Sequence, residues 1–170
     1  MAAIPTARCF QLGFVTSDYA ACEEQLRALY AVPEFYVFTT VKLANLVYRN
    51  RPASCVANVA IGYSGETQIE IVEPISGDDL YAEFLNETGD GLHHVGLRVD
   101  DFDEAMDGAN KAGIEVLQSG SIGADLGIRF AFLNTTATTG IVTELVYLTP
   151  QIDKLYDRLK KRASQRGQSN

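Results

Sequence analysis

Along the chain, apolar positions switch between a two-residue and a helical period, and the switches recur. Arg8 to Thr16 alternates: Phe10, Leu12 and Phe14 face one way and Cys9, Gln11, Gly13 and Val15 the other, as in a strand buried on one face. Ser17 offers an N-cap, after which Tyr19, Cys22, Leu26, Leu29 and Tyr30 fall at helical spacing until Pro33 ends the element. Phe35–Val41, Ser54–Tyr63 and Thr67–Glu73 read as three strands, with Arg51-Pro52 in a loop and Pro74 as the stop. A short amphipathic linker helix over 78–88, carrying Leu80, Tyr81, Phe84 and Leu85, is closed by the turn Gly89-Asp90-Gly91.

The pattern then starts again. Leu92–Val99 is a strand, and Asp101 with Glu104 three residues later opens a helix through Ala112 that Gly113 terminates. Glu115–Gln118, Ile128–Leu133 and Ile141–Leu148 are three more strands, and Pro150 opens a C-terminal helix over 151–163 with Ile152, Leu155, Tyr156 and Leu159 on one face. The predicted fold class is α+β: two βαβββ modules, 8–75 and 91–149, in one domain, repeating after about eighty residues.

Composition narrows the function classes. A hydrophobic fraction of 46% and a charged fraction of 21% belong to a folded chain, and no run approaches a membrane span. A net charge of −8 argues against nucleic acid as a partner, because such binding rests on neutralising phosphates. The charge is uneven: residues 151–170 hold six basic and two acidic side chains, which leaves −12 on the rest. The opening MAAIPTARCF lacks the basic and apolar regions of a secretory signal, and Cys9, Cys22 and Cys55 read as reduced thiols, so the expected location is cytoplasmic.

The repeat also locates candidate chemistry. Laying Phe10–Val15 over His93–Arg98, and Ile69–Val72 over Thr143–Val146, makes Gln11 equivalent to His94 and Glu70 equivalent to Glu144. All four side chains share a strand face with Gly13 and Gly96, whereas His93 points to the opposite face. A carboxylate inside an apolar strand is costly without a partner, and a divalent cation would satisfy two of them together with an imidazole and an amide oxygen. Candidate substrate-binding residues nearby are Arg98, for a substrate carboxylate or for an acidic neighbour; Asn58, in an otherwise apolar strand; and the aromatic Tyr36, Phe38 and Tyr63. The glycine-containing loop from Ser119 to Asp125 is a candidate lid.

With His94 in GLHHVGLRVDD and Glu144 in VTELVYL, the double βαβββ pattern resembles the vicinal oxygen chelate superfamily over about residues 8–148. That superfamily includes glyoxalase I, methylmalonyl-CoA epimerase, extradiol dioxygenases and bleomycin-resistance proteins. The stretch from QIEIVEP through GDGLHHVGLRVDDFDEA is most similar to the epimerases and related glyoxalase-like proteins. The resemblance implies an eight-stranded open cup with one divalent metal (Zn, Co, Ni, Mn or Mg) held by Gln11, Glu70, His94 and Glu144. It also implies a small-molecule substrate and a homodimer.

The implied activity is that of an isomerase, epimerase or lyase moving a proton next to a carbonyl through a metal-stabilised enolate, on a small oxygenated or acyl-thioester substrate. Glu144 is then the first choice of base and Glu70 the second. Two departures stand out. The epimerases draw a second acid/base glutamate from their early strands, and Tyr36 to Tyr48 contains no carboxylate. Gln11 replaces the histidine that an iron-dependent dioxygenase would need. The alternative is a metal-free small-molecule binding protein of the bleomycin-resistance type.

Overall fold

The structure, a computed structural model, describes residues 4, 7–123 and 127–167 of the chain. The elements run β1 (Arg8–Val15), α1 (Tyr19–Tyr30), β2 (Phe35–Lys42), β3 (Ala44–Tyr48), β4 (Arg51–Pro52), β5 (Cys55–Ser64) and β6 (Thr67–Gly77). Helix α2 (Leu80–Thr88) links these to β7 (Gly91–Arg98), α3 (Phe102–Lys111), β8 (Val116–Ile122), β9 (Ile128–Leu133), α4 (Thr136–Thr139), β10 (Val142–Leu148) and α5 (Pro150–Gly167). No helix among the described residues is long and apolar enough to cross a membrane.

One sheet holds all ten strands, in the order β2-β5-β6-β1-β7-β10-β9-β8-β3-β4. Its first eight positions are the expected cup. β1 and β7 run antiparallel at the centre, each flanked by a parallel partner, β6 or β10, from its own half. The two strands beyond eight come from the stretch between the second and third expected strands, where the pattern predicts only a loop at Arg51-Pro52 and no strand. Only Leu43 separates β2, at one end of the sheet, from β3, which pairs with β8 near the other end. The sheet therefore curls to bring its two ends toward one another, and Arg49 extends the β3–β8 pairing by donating from its backbone N to Leu117 O at 2.8 Å.

Local chemistry accounts for the remaining differences. Asp18, not Ser17, caps α1 by accepting from Ala21 N, because the Ser17 hydroxyl is engaged by Asp90. β6 continues past Pro74, since the register slips between Val56 and Ala57 and places the proline at a bulge where it owes the ladder no hydrogen bond. In β2 a bulge between Phe38 and Val41 includes Thr40 at φ 55°, and Asn58 Oδ1 accepts the Thr40 N–H that the ladder loses. Helices α1 and α3 pack their apolar faces on the convex side through Leu26 and through Phe102, Ala105 and Ala109. α2 adds Leu80 and Tyr81 to a third cluster with Phe130 and Phe132.

Candidate metal centre

The concave face is organised by two glycines. Gly13 lies between Glu70 on β6 and His94 on β7, and Gly96 lies between Gln11 on β1 and Glu144 on β10. A Cβ at Gly13 would come within 1.9 Å of the His94 ring, and one at Gly96 within 2.5 Å of Gln11 Oε1. Each glycine therefore makes the space its cross-strand partner occupies. The equivalence seen in the sequence is physical: each half contributes one central-strand donor, one glutamate and one glycine.

Both central donors follow a bulge. Between Cys9 and Gln11 the extra residue is Phe10, and between Gly13 and Phe14 the extra residue on the facing strand is His93. An extra residue re-aims the side chains beside it. Phe10 lines the cup with Gln11 instead of following Leu12 and Phe14 outward. His93, expected on the opposite face, is buried immediately beside buried His94, with the two Nδ1 atoms 3.0 Å apart.

Glu70, His94 and Glu144 converge, with one ligand atom from each lying within 4.8 Å of the others. His94 Nε2 stands 3.4 Å from Glu70 Oε2 and 3.4 Å from Glu144 Oε2. His94 is fully buried, and the Glu70 and Glu144 side chains are 15% and 8% exposed. Burial alone would lower the His94 imidazole, but Glu144 and Glu70 overcome it and lift the group to about 9. Burial pushes the Glu144 carboxyl up, with His94 opposing and Glu70 adding to the shift.

The surrounding groups orient these donors. Gln11 Nε2 donates to Gln68 Oε1 at 2.8 Å, Gln68 Nε2 donates to Tyr63 Oη at 3.0 Å, and Tyr63 Oη donates to the Tyr156 carbonyl at 3.3 Å. Burial raises Tyr63 to about 12, which keeps that hydroxyl a donor. Gln11 Oε1 is left buried without a hydrogen-bond partner, as is His94 Nε2. His93 stays neutral because burial lowers it to about 3, so its Nδ1 can accept from His94 Nδ1–H and leave His94 Nε2 pointing at the carboxylates. One imidazole nitrogen and three oxygen donors, two of these four atoms orphaned, fit a divalent cation.

The walls of the cup enclose a cavity of about 210 Å³. Gln11, Glu70 and Glu144 lie at its floor, and Phe38 is among the apolar side chains above them. Arg98 lies outside this lining and is paired with Asp153 at 2.8 Å. Asn58 also lies outside it, bonded to Glu73 and Thr40. Tyr36 and Tyr63 are likewise outside, donating to the carbonyls of Leu159 and Tyr156. The loop at 119–125 divides: Ser119–Ile122 is β8 structure, Gly123 lines the cavity, and residues 124–125 lie outside the described residues.

Three contributors were missed in the sequence. Gln68 had a signal, being two residues before Glu70 and so on the same strand face. His93 had only its adjacency to His94, and period-two reasoning turns it away. Helix α5 supplies Ile152, Leu155 and Tyr156 to the cavity, which nothing local in the sequence could announce.

Among known proteins, the Bacillus subtilis (strain 168) protein YqjC, itself uncharacterised, is 26% identical over 88 residues. The match covers 52% of this chain and 63% of that relative, so the chain spans less than two thirds of it. The methylmalonyl-CoA epimerase of Mycobacterium tuberculosis superposes with a TM-score of 0.56 at 17% identity, covering 91% of this chain and 95% of that one. A variant of the Streptomyces coelicolor methylmalonyl-CoA epimerase, in complex with 2-nitronate-propionyl-CoA, gives 0.57 at 23%, covering 85% and 99%. At these identities the epimerases share the fold. Residues 10–132 match the model of the glyoxalase/bleomycin resistance protein/dioxygenase superfamily, and the chain belongs to that superfamily.

Proposed function

We propose that the chain is a metal-dependent isomerase, epimerase or lyase that moves a proton next to a substrate carbonyl, with Gln11, Glu70, His94 and Glu144 holding one divalent cation. The observation that carries the reading is the convergence of buried His94 with Glu70 and Glu144, which line the floor of a largely apolar cavity, with Gln11 Oε1 and His94 Nε2 lacking a hydrogen-bond partner. When bound there, a divalent cation supplies a Lewis acid for negative charge developing on a carbonyl oxygen.

The protein's part is proton handling and exclusion of water. Burial raises the Glu144 carboxyl, so a Glu144 oxygen takes a proton from carbon more readily than an ordinary surface carboxylate and can return it. Glu70 is the corresponding group of the other module and the second choice of base. Tyr81 also lines the cavity, and its burial next to Glu144 and Glu70 holds the phenol protonated, suiting it to donate a hydrogen bond and not to act as base.

The test is metal analysis of untagged protein purified without chelators, beside His94→Ala. About one equivalent of divalent metal in the parent, lost in the variant, is the expected result. Failure to bind Zn, Co, Ni, Mn or Mg would overturn the proposal. The apolar lining would then favour the second reading, a metal-free small-molecule binding protein.

A further inference from the structure

We infer that the cavity selects an uncharged, hydrophobic carbonyl compound and that helix α5 is the wall enforcing this choice. The carbonyl rests on the proposed function; the charge and polarity rest on the cavity itself. Above the floor, the described lining is aliphatic and aromatic, from Phe10, Phe38 and Phe130 to Ile152 and Leu155, and includes no Lys or Arg.

Charge balance then decides what can enter. The two floor carboxylates match one divalent cation, so a neutral ligand leaves the cavity neutral. A ligand carboxylate or phosphate would add buried negative charge with no protein cation to meet it.

The available cations are held elsewhere. Arg98 is bound to Asp153 of α5 at 2.8 Å. Lys160 pairs with Glu66 at 2.9 Å and Arg166 with Glu34 at 2.7 Å, and neither cation lines the cavity. Those pairs, with the hydrogen bonds from Tyr36 and Tyr63 to α5 carbonyls, press the apolar stripe Ile152, Leu155, Tyr156 onto the cup. The helix thus spends its charges on anchoring and its apolar face on the ligand. A volume of about 210 Å³ equals the liquid volume of roughly seven waters, so the enclosed part of the ligand is small.

Two methyl ketones test the inference on the zinc-loaded full chain, with dissociation constants from ligand-observed NMR titration. They are para-methylacetophenone and para-acetylbenzoate, which differ in a methyl against a carboxylate at the far end of the ring. The neutral ketone is expected to bind at least tenfold tighter. Ile152→Lys, at the partly exposed edge of the stripe, should bring the ratio below threefold by giving the carboxylate a partner.

Equal or tighter binding of para-acetylbenzoate to the parent, or binding of neither ketone, would overturn the inference. Exchange of the acetyl methyl protons with deuterated water is read in the same samples. If the neutral ketone binds preferentially and no exchange occurs, proton transfer fails while the selectivity stands.

Discussion

Gly13→Ala places a methyl group where the His94 ring now lies. The added Cβ would meet Cε1, Nε2 and Nδ1 of that ring at 1.9, 2.1 and 2.5 Å. The imidazole must retreat by roughly 1.5 Å to reach ordinary van der Waals contact. It has little room to do so, because His94 is fully buried, with the Phe132 ring centroid 5.2 Å away and His93 against Nδ1. Overpacking of this kind costs about 1–3 kcal/mol. Metal ligands, in contrast, tolerate displacements of only about 0.2 Å. Metal affinity should therefore fall at least a hundredfold while the variant still folds.

The control is Gly65→Ala. That position has φ +58° and no atom near the new methyl, so the variant costs about 1 kcal/mol in backbone strain without touching the site. Titration of metal into chelator-treated protein, beside thermal unfolding, separates the two effects: both variants lose stability and only Gly13→Ala loses metal. Gly96→Ala, which presses on the neutral Gln11 amide, should cost affinity about tenfold. Unchanged metal affinity in Gly13→Ala would refute both the ligand role of His94 and the logic of paired glycines.

Other outcomes follow from the same geometry. Glu144→Gln, which exchanges a ligand carboxylate for an amide oxygen, should bind metal more weakly and, at saturating metal, slow proton exchange about a hundredfold or more; full activity in that variant would remove Glu144 from the mechanism. His93→Phe deletes the acceptor for His94 Nδ1 within an existing aromatic cluster and should weaken metal binding about tenfold to a hundredfold, read by competition with a chromogenic chelator. Metal at about one hundred times its dissociation constant should raise the unfolding temperature by roughly 5–10 °C, and no shift would contradict a site preformed in the folded state. Two hydrogen bonds from Arg49 hold the Glu83 carboxyl below the usual carboxylate range. Its stabilisation is present above the unfolded value and is lost as pH falls through the folded one. With Arg49 substantially exposed the pair is worth about 1 kcal/mol at most, so denaturant titrations between about pH 6 and about pH 3 should show a slightly shallower acid loss in Glu83→Gln than in the parent.

What could be read from the sequence was whatever period and repeat encode. Gln11 and Gly13, or His94 and Gly96, stand two apart, so their sharing a face needed only the pleat. The equivalence of Glu70 and Glu144 needed only the repeat. What was lost depended on partners distant in the chain. The β3 segment carries alternating burial but spends its hydrogen bonds on Gln118 to Ser121, and Asn45, Arg49 and Asn50 at positive φ disguise it as loop. The bulges at Phe10 and His93 arise from the β1–β7 register, which neither strand states alone. Arg98 shares a strand face with His94, yet its place is decided by Asp153, fifty-five residues further on.

Two of those long-range partnerships together explain how a symmetric cup becomes an asymmetric cavity. The first half sends β3 and β4 across to the edge of the second, beside β8. The second half is followed by α5, which Glu34, Tyr36, Tyr63 and Glu66 of the first half anchor together with Arg98 of the second. Each half thereby closes the open side of the other within one chain, and all four proposed ligands come from that chain. The two glutamates, equivalent by repeat, are left in unequal surroundings, the Glu144 side chain 8% exposed against 15% for Glu70. That inequality, imposed by covering elements and not by the repeat, is the physical reason to assign the proton to Glu144 first.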